Sequence, residues 1–320
     1  MTVDNPPNIA TKEACVSNPF ALPGRFLKGN LHTHSTLSDG HRSPEEVCDY
    51  YARNGYDFFS LTEHFQERYK WPVADTRAFH REGFITIPGA ELHPPKHRMQ
   101  HGEPWHIVAV GLPYDFAPSH DGETGPQIAQ RALDAGAWVM AAHPQWFAMS
   151  EQDMLDLSHV HAIEIFNASA ADDNDAAEST YMWDLMLARG MRFSACATDD
   201  AHFLLNTRDR GAGWAMVKSE ANTPESILAA LKAGAYYSSS GPEIHDIAIE
   251  GNSVHVRCSP ANRIFLIGGP AKYRQVGEQG ITEATFSLDN WKSPFFRIVV
   301  RDDHGKKAWS NPIWLDSLGR

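Results

Sequence analysis

The sequence predicts an α/β fold, with β/α units around a mostly parallel sheet and a small antiparallel β module behind them. Three observations predict it. From Leu27 to about Ser240, short apolar runs alternate with amphipathic segments of helical length. Most of those runs carry, at or just beyond their C-terminal ends, a polar residue able to bind a metal, so the strand ends converge on one mouth, as in a barrel. After Gly241-Pro242 the helical period disappears and short alternating segments take over. The organisation that follows is an N-terminal arm over 1–26, a barrel over 27–242 and a small β domain over 243–320.

Strands are expected over Lys28–Thr33, Asp57–Thr62, Phe84–Ala90, Ile107–Leu112, Trp138–Ala142, His161–Phe166 and Arg192–Ala197. Only the Trp105-His106-Ile107 run has its histidine at the start. Ser43-Pro44-Glu45-Glu46 supplies an N-cap hydroxyl, a proline at the first helical position and a glutamate three residues after the serine, which opens a helix that stops at Asn54-Gly55. Thr223-Pro224-Glu225 opens another that stops at Gly234. Pro126–Ala135 before Gly136 and Asp175–Arg189 before Gly190 read as helices closed by glycine. In the last part, Ser253–Arg257, Arg263–Ile267, Ala284–Leu288 and Phe295–Val300 alternate as strands do.

Composition narrows the function. At 320 residues and 42% apolar content the chain can bury a full core. A formal net charge of −12, from 40 acidic against 28 basic side chains, disfavours a surface that tracks a long nucleic acid and fits a small-molecule substrate better. Cys15, Cys48, Cys196 and Cys258 are far apart, which excludes a thiolate zinc knuckle and a disulfide scaffold. No stretch approaches a membrane span and the first 26 residues lack an apolar leader core, so a cytoplasmic protein is expected.

The chemistry starts at His32-Thr33-His34. Alternate side chains of a strand share one face, so two imidazoles could grip one ion. With 17 histidines in the chain, such a pair alone is weak. The wider set is not: His32, His34, Asp39, His64, Glu91, His106, His143, Asp200 and His202 are spread over several separate apolar runs, and a merely structural role gives no reason for that. Nitrogen and oxygen ligands without thiolate suit zinc, manganese or iron. Glu91 is a carboxylate that could bridge two ions, and two bridged ions could hold a hydroxide and polarise an electrophile.

This set resembles the polymerase and histidinol phosphatase (PHP) superfamily. The resemblance rests on His32-Thr33-His34, Ser38-Asp39-Gly40, Thr62-Glu63-His64, Gly89-Ala90-Glu91, His143-Pro144 and Asp200-Ala201-His202, in that order, across Leu27 to Pro242. It implies a distorted seven-stranded β/α barrel. It also implies a first metal on His32, His34, Glu91 and Asp200, a second on Glu91, His106 and His143, and a third, where present, on Asp39, His64 and His202. Where the superfamily usually shows aspartate before the histidine of its second motif, this chain has Glu63. The nearest likeness is to the carbaryl hydrolase-like branch, through Gly29–Gly40, Ser43–Val47, Gly55–Phe58 and Thr223–Pro242.

The reading is a metal-dependent hydrolase with two or three divalent ions, in which a metal-bridging hydroxide cleaves a small-molecule phosphoester and Glu91, Asp200 and His202 are the catalytic residues. The alternative bond is a carboxyl ester or carbamate. A non-catalytic metal-binding domain and a nucleic-acid exonuclease are the other classes weighed. Arg68 and Arg208, with Lys70 and Arg210 beside them, are candidates to bind a phosphoryl group. Trp146 and Phe166 are candidate pocket walls, against the reading that they complete the core. Glu164, in a near-apolar strand, ought to have a partner and is expected to support a ligand.

Overall fold

The computed structural model describes residues 18–319; Cys15 and most of the expected N-terminal arm lie outside them. The helices begin where the sequence places their caps. Pro44–Arg53 carries a reciprocal capping box between Ser43 and Glu46, and Gly125–Asp134 carries one between Thr124 and Gln127. Pro224–Lys232 is capped by Thr223. The helix expected over Asp175–Arg189 starts later, at Thr180. Asp175 instead ends a short helix, Ala168–Asn174, in the left-handed conformation, and that helix is nucleated by Asn167, whose side chain accepts from the Ala170 N–H.

The fold is α/β with mixed sheets. Among the described residues the strands form an 11-stranded and a 6-stranded sheet and no closed barrel, so the expected distorted seven-stranded barrel is corrected to two sheets. The break falls inside two of the expected strands. Phe58–Phe59 pairs in parallel with Arg25–Asn30 and with Ile85–Thr86 in the larger sheet, whereas His64–Phe65 and Gly89–Leu92, further along the same runs, pair in the smaller one. Pro88, between Ile85–Thr86 and Gly89–Leu92, has no N–H to give a ladder. Next to it Gly89 is required, because a Cβ there would lie 2.5 Å from Ser60 Oγ and 2.8 Å from the Ala109 carbonyl oxygen. The two sheets touch again where Thr33 bridges Ala201, with the His34 N–H donating to the Ala201 carbonyl at 3.0 Å and the Asp200 N–H donating to the His32 carbonyl at 2.9 Å.

The smaller sheet continues through Ile107–Val110, Trp138–Ala141, Ala162–Asn167 and Ser194–Thr198. Ile107–Val110 runs antiparallel to both neighbours, while the remaining pairs are parallel. This explains the run that had its histidine at the start: the N-terminal end of a reversed strand lies at the same mouth as the C-terminal ends of its neighbours. Val108, Trp138, Met140, Ala162 and Cys196 are fully buried against Leu27, Leu31 and Ile227, each large side chain contributing about 1.5–3 kcal/mol by leaving water.

Beyond Gly241-Pro242 the chain is antiparallel β. Ser253–Ile267 and Tyr273–Ser287 are 15-residue strands, longer than the short segments expected, because register shifts at Arg257–Arg263 let one strand bend and keep pairing. Lys307–Ser310 pairs with Tyr236–Ser239, which pairs with Trp214–Ser219 and so with Arg25–Asn30. The C-terminal strands therefore extend the larger sheet. None of the described helices is long and apolar enough to cross a membrane.

Candidate metal centre

The structure brings the nine expected ligands, Glu91 among them, into one set of overlapping groups. His64 Nδ1 and His106 Nδ1 lie 2.6 Å from the Glu91 oxygens, His143 Nε2 at 3.3 Å, and His32 Nε2 and His34 Nε2 at 3.6 Å. Asp200 Oδ1 stands 3.2 Å from His32 Nε2 and 3.0 Å from His34 Nε2. Asp39 is 3.1 Å from His64 Nε2 and 3.5 Å from His202 Nε2. Their donor atoms fall into overlapping groups: His32, His34 and Asp200; His32, Glu91 and His143; His34, Asp39, His64 and His202; and His64, Glu91, His93 and His106. His106 thus groups with His64 and His93, and His143 with His32. His93 is a member that the sequence did not single out as a ligand.

Each side chain is held by its own element. His32 and His34 leave the end of Arg25–Asn30, and the bridge at Thr33 sets them beside Asp200 and His202. The Asp39 loop is closed by Gly40, whose N–H donates to the Ser35 carbonyl at 2.9 Å and whose Cβ, if present, would be 2.6 Å from the His34 carbonyl. Glu63 braces that loop: it is buried and accepts from the Ser35 N–H at 3.0 Å and from the hydroxyls of Ser35 and Ser38. The longer carboxylate in place of aspartate therefore anchors the turn that carries Asp39. Asp200 and His143 have φ of 53° and 28°, a left-handed backbone that costs a non-glycine residue about 1–3 kcal/mol and collects at functional sites.

Glu164 has the partners its buried position demands. His32 Nδ1 is 2.9 Å from Oε1, and Oε2 accepts from the His143 N–H at 2.6 Å and from Asn167 Nδ2 at 3.0 Å. Asn167 also donates to Asp200 Oδ2 at 3.0 Å, so one amide orients two carboxylates. Asp199, beside Asp200 in the chain, faces away from this network and accepts from Tyr51 and from the N–H groups of Gly211, Ala212 and Gly213. Burial raises its pKa to about 6.

The electrostatics ask for cations. Burial opposes charge on every imidazole here, yet Glu91 and Asp39 raise the His64 pKa to about 10, and Asp39 and Asp200 raise that of His202 to about 9. His32 is also raised, by Asp200, Glu164 and Glu91 against its burial. His34, buried and facing His64 and His202, falls to about 3, as does His106, where burial outweighs Glu91. Despite their own burial, Glu91 and Asp200 are held well below the carboxylate range by these imidazoles. In such a cluster protons supply positive charge that divalent ions could supply instead.

The donor set fits an ion. Ligand atoms about 2.0–2.1 Å from a tetrahedral metal lie about 3.3 Å apart, and the separations around His32, His34, His143, Glu91 and Asp200 run from 3.0 to 3.6 Å. His32 Nε2 and Glu91 Oε2 are buried with no aligned hydrogen-bond partner in spite of these short distances. Atoms placed so are free to share a third partner such as an ion.

No protein-family model matches the chain, and no curated protein does. Among solved structures, a two-domain protein from Bacteroides vulgatus, containing a predicted PHP-like metal-dependent phosphoesterase, aligns over 92% of this chain and 96% of its own, with a TM-score of 0.52 and 16% identity. The chain has a PHP-like fold. At that identity the likeness concerns the fold. An amidohydrolase from Chromobacterium violaceum, solved with bound sulfate and no metal, aligns over 54% of this chain and 87% of its own at 18% identity, but its TM-score of 0.42 is too low to bear on the PHP-like architecture.

The expected substrate residues divide. Arg68 lines a cavity of about 800 Å³ with Trp71, His93, Pro94 and Arg98, and its guanidinium lies 4.5 Å over the Tyr69 ring. Arg208 is exposed, and its backbone N–H donates to Asp172. Lys70 is exposed, and Arg210 pairs with Asp209 at 2.9 Å. Trp146 lies 5.3 Å from the His143 ring. Phe166 packs towards Trp309 at 6.2 Å and against Gly213, on the core side of its strand. Phe147, which the sequence did not single out, is 4.5 Å from His106 and 5.0 Å from His143. Its only signal was its place beside Trp146.

Proposed function

We propose that the protein is a metal-dependent hydrolase that cleaves a small-molecule phosphoester. The convergence of carboxylates and imidazoles from so many separate strand ends on Glu91 carries the reading. His32, His34, Glu91 and Asp200 would hold one ion, Glu91, His106 and His143 a second, and Asp39, His64 and His202 a third. When bound, the ions supply Lewis acidity and a water activated for attack. Asp200, whose two oxygens are fixed by His34 and Asn167, would hold and orient such a water. Glu91 offsets the positive charge at the hub, and His202, partly exposed at the mouth, meets the side from which substrate enters. Arg68, at the cavity edge, would take a non-bridging phosphoryl oxygen or the departing group.

A second reading, an aryl carboxyl ester or carbamate, is favoured by the Trp146 and Phe147 rings beside His143 and His106, which offer an apolar face to an aryl group. It accords with the likeness of the sequence to the carbaryl hydrolase-like branch. Metal-replete protein assayed on aryl phosphates, aryl esters and aryl carbamates of the same leaving group separates the two. Faster turnover of the phosphate supports the first reading, and turnover of the ester or carbamate alone replaces it with the second.

A further inference from the structure

Among the centre's imidazoles, His93 stands outside the expected ligands, and its hydrogen bonds give it a distinct task. It is 4% exposed. Its Nδ1 lies 2.8 Å from the Trp105 carbonyl oxygen, and a carbonyl can only accept, so the proton of a neutral His93 ring sits on Nδ1 and Nε2 carries a lone pair. That lone pair faces His64 Nδ1 at 2.9 Å in hydrogen-bonding alignment. His64 in turn presents Nε2 to Asp39 at 3.1 Å, in the group with His34 and His202. Glu91 Oε2 is nearer His64 Nδ1, at 2.6 Å, but has no aligned hydrogen bond.

We infer that His93 is a positioning residue: it accepts the His64 Nδ1–H, so fixing the His64 tautomer with Nε2 free for the Asp39 ion and sparing Glu91 for the ions at the hub. The inference rests on the metal-centre reading. A neutral imidazole can ligate through one nitrogen only while the other keeps its proton, and that proton needs an acceptor. With His93 present the chain Trp105 carbonyl, His93, His64, Asp39 site has every donor matched to an acceptor. Without it, the His64 proton falls to Glu91, and a carboxylate oxygen occupied by that bond is a weaker bridge. His93 also lines the cavity that holds Arg68, so its ring sits between substrate space and the His64 ligand.

The test uses the full chain in two variants. His93→Leu keeps bulk and removes the acceptor; His93→Gln places a carbonyl oxygen near Nε2 and an amide N–H towards Trp105. Nitrogen chemical shifts of the His93 ring in metal-free protein report its tautomer, and Mn²⁺ or Zn²⁺ titration with elemental analysis reports the ions. The expected result is a His93 ring protonated at Nδ1, a weakest ion bound about 10- to 100-fold less tightly in His93→Leu, and recovery in His93→Gln. Equal affinity and ion count in both variants and the wild type would overturn the inference, as would a His93 ring protonated at Nε2. Loss of an ion in both variants, with the Asp39 site still filled, would make His93 a ligand and overturn it too. A wild-type chain that binds no ion refutes the metal-centre reading itself, while the His93 tautomer still tests the hydrogen-bond chain. Should His93→Leu fail to fold, His93→Gln and the ring shifts decide.

Discussion

Replacing Glu91 by glutamine tests the centre at its hub. The change conserves volume and shape, so the fold should survive. What it removes is the charge that His64 and His106 face at 2.6 Å, His143 at 3.3 Å, and His32, His34 and His93 at 3.6 Å. At 2.6 Å and an effective dielectric of about 20, one unit-charge pair interacts by roughly 6 kcal/mol. Desolvation offsets part of that, and removing one partner of a buried pair costs about 3–5 kcal/mol. At about 1.4 kcal/mol per tenfold, an ion held through Glu91 should bind roughly two to four orders of magnitude less tightly. The assay is dialysis against a weak chelator, elemental analysis of the retained ions and titration back, with circular dichroism to check the fold. Glu91→Gln should lose at least one ion and its turnover. Full wild-type ion content with wild-type turnover would refute the assignment of Glu91 as the bridge.

His64→Ala should empty the Asp39 site while the ions on Glu91 remain; loss of every ion would show that no separable third site exists. Arg68→Ala should raise KM for a phosphoester and Arg208→Ala should not, since Arg68 lines the cavity beside His93 and Arg208 does not; equal effects would place the phosphoryl group elsewhere. If an aryl ester or carbamate is the better substrate, trimming Trp146 should raise KM, whereas Phe166→Ala should lower Tm, by up to about 3 kcal/mol of stability, without touching KM. For pH, His64 and His202 have folded pKa values near 10 and 9, above their unfolded value, so their contribution to metal-free stability is complete below about pH 6.5 and is lost as pH rises through 9 to 10. Thermal melts of metal-free protein should show Tm falling across that window, and ion-loaded protein should lack the fall; a flat metal-free profile contradicts the protonated imidazoles.

The clustering of these histidines and carboxylates was legible in the sequence because most of them stand at or just beyond the end of an apolar run, where strand geometry leaves few places for the side chain to go. Even the odd one carried information: a histidine at the start of the Ile107–Val110 run marked a strand running the other way. The split into two sheets was not legible, since it depends on how one run continues across Pro88 and another from Phe59 to His64, and on a bridge between Thr33 and Ala201, which are far apart in sequence. His93 was hidden for a related reason. Pro94, Pro95, Lys96 and Arg98 follow it in the chain and give no apolar period, and what surrounds the ring is the Trp105 carbonyl and the neighbouring imidazoles. Phe166 and Trp146 could not be told apart from pattern alone, because both follow strand-end positions and only the far side of the fold, Trp309 and Gly213, draws Phe166 into the core.

The most direct test of the central claim is the turnover of one aryl phosphate by the same protein stripped of metal and then reloaded with Zn²⁺, Mn²⁺ or Fe²⁺, with the ions per chain counted at each step. Inert stripped protein, and turnover that returns as two or three ions bind, is the result predicted. Turnover by stripped protein equal to that of reloaded protein, or a reloaded chain that retains no ion, would contradict it.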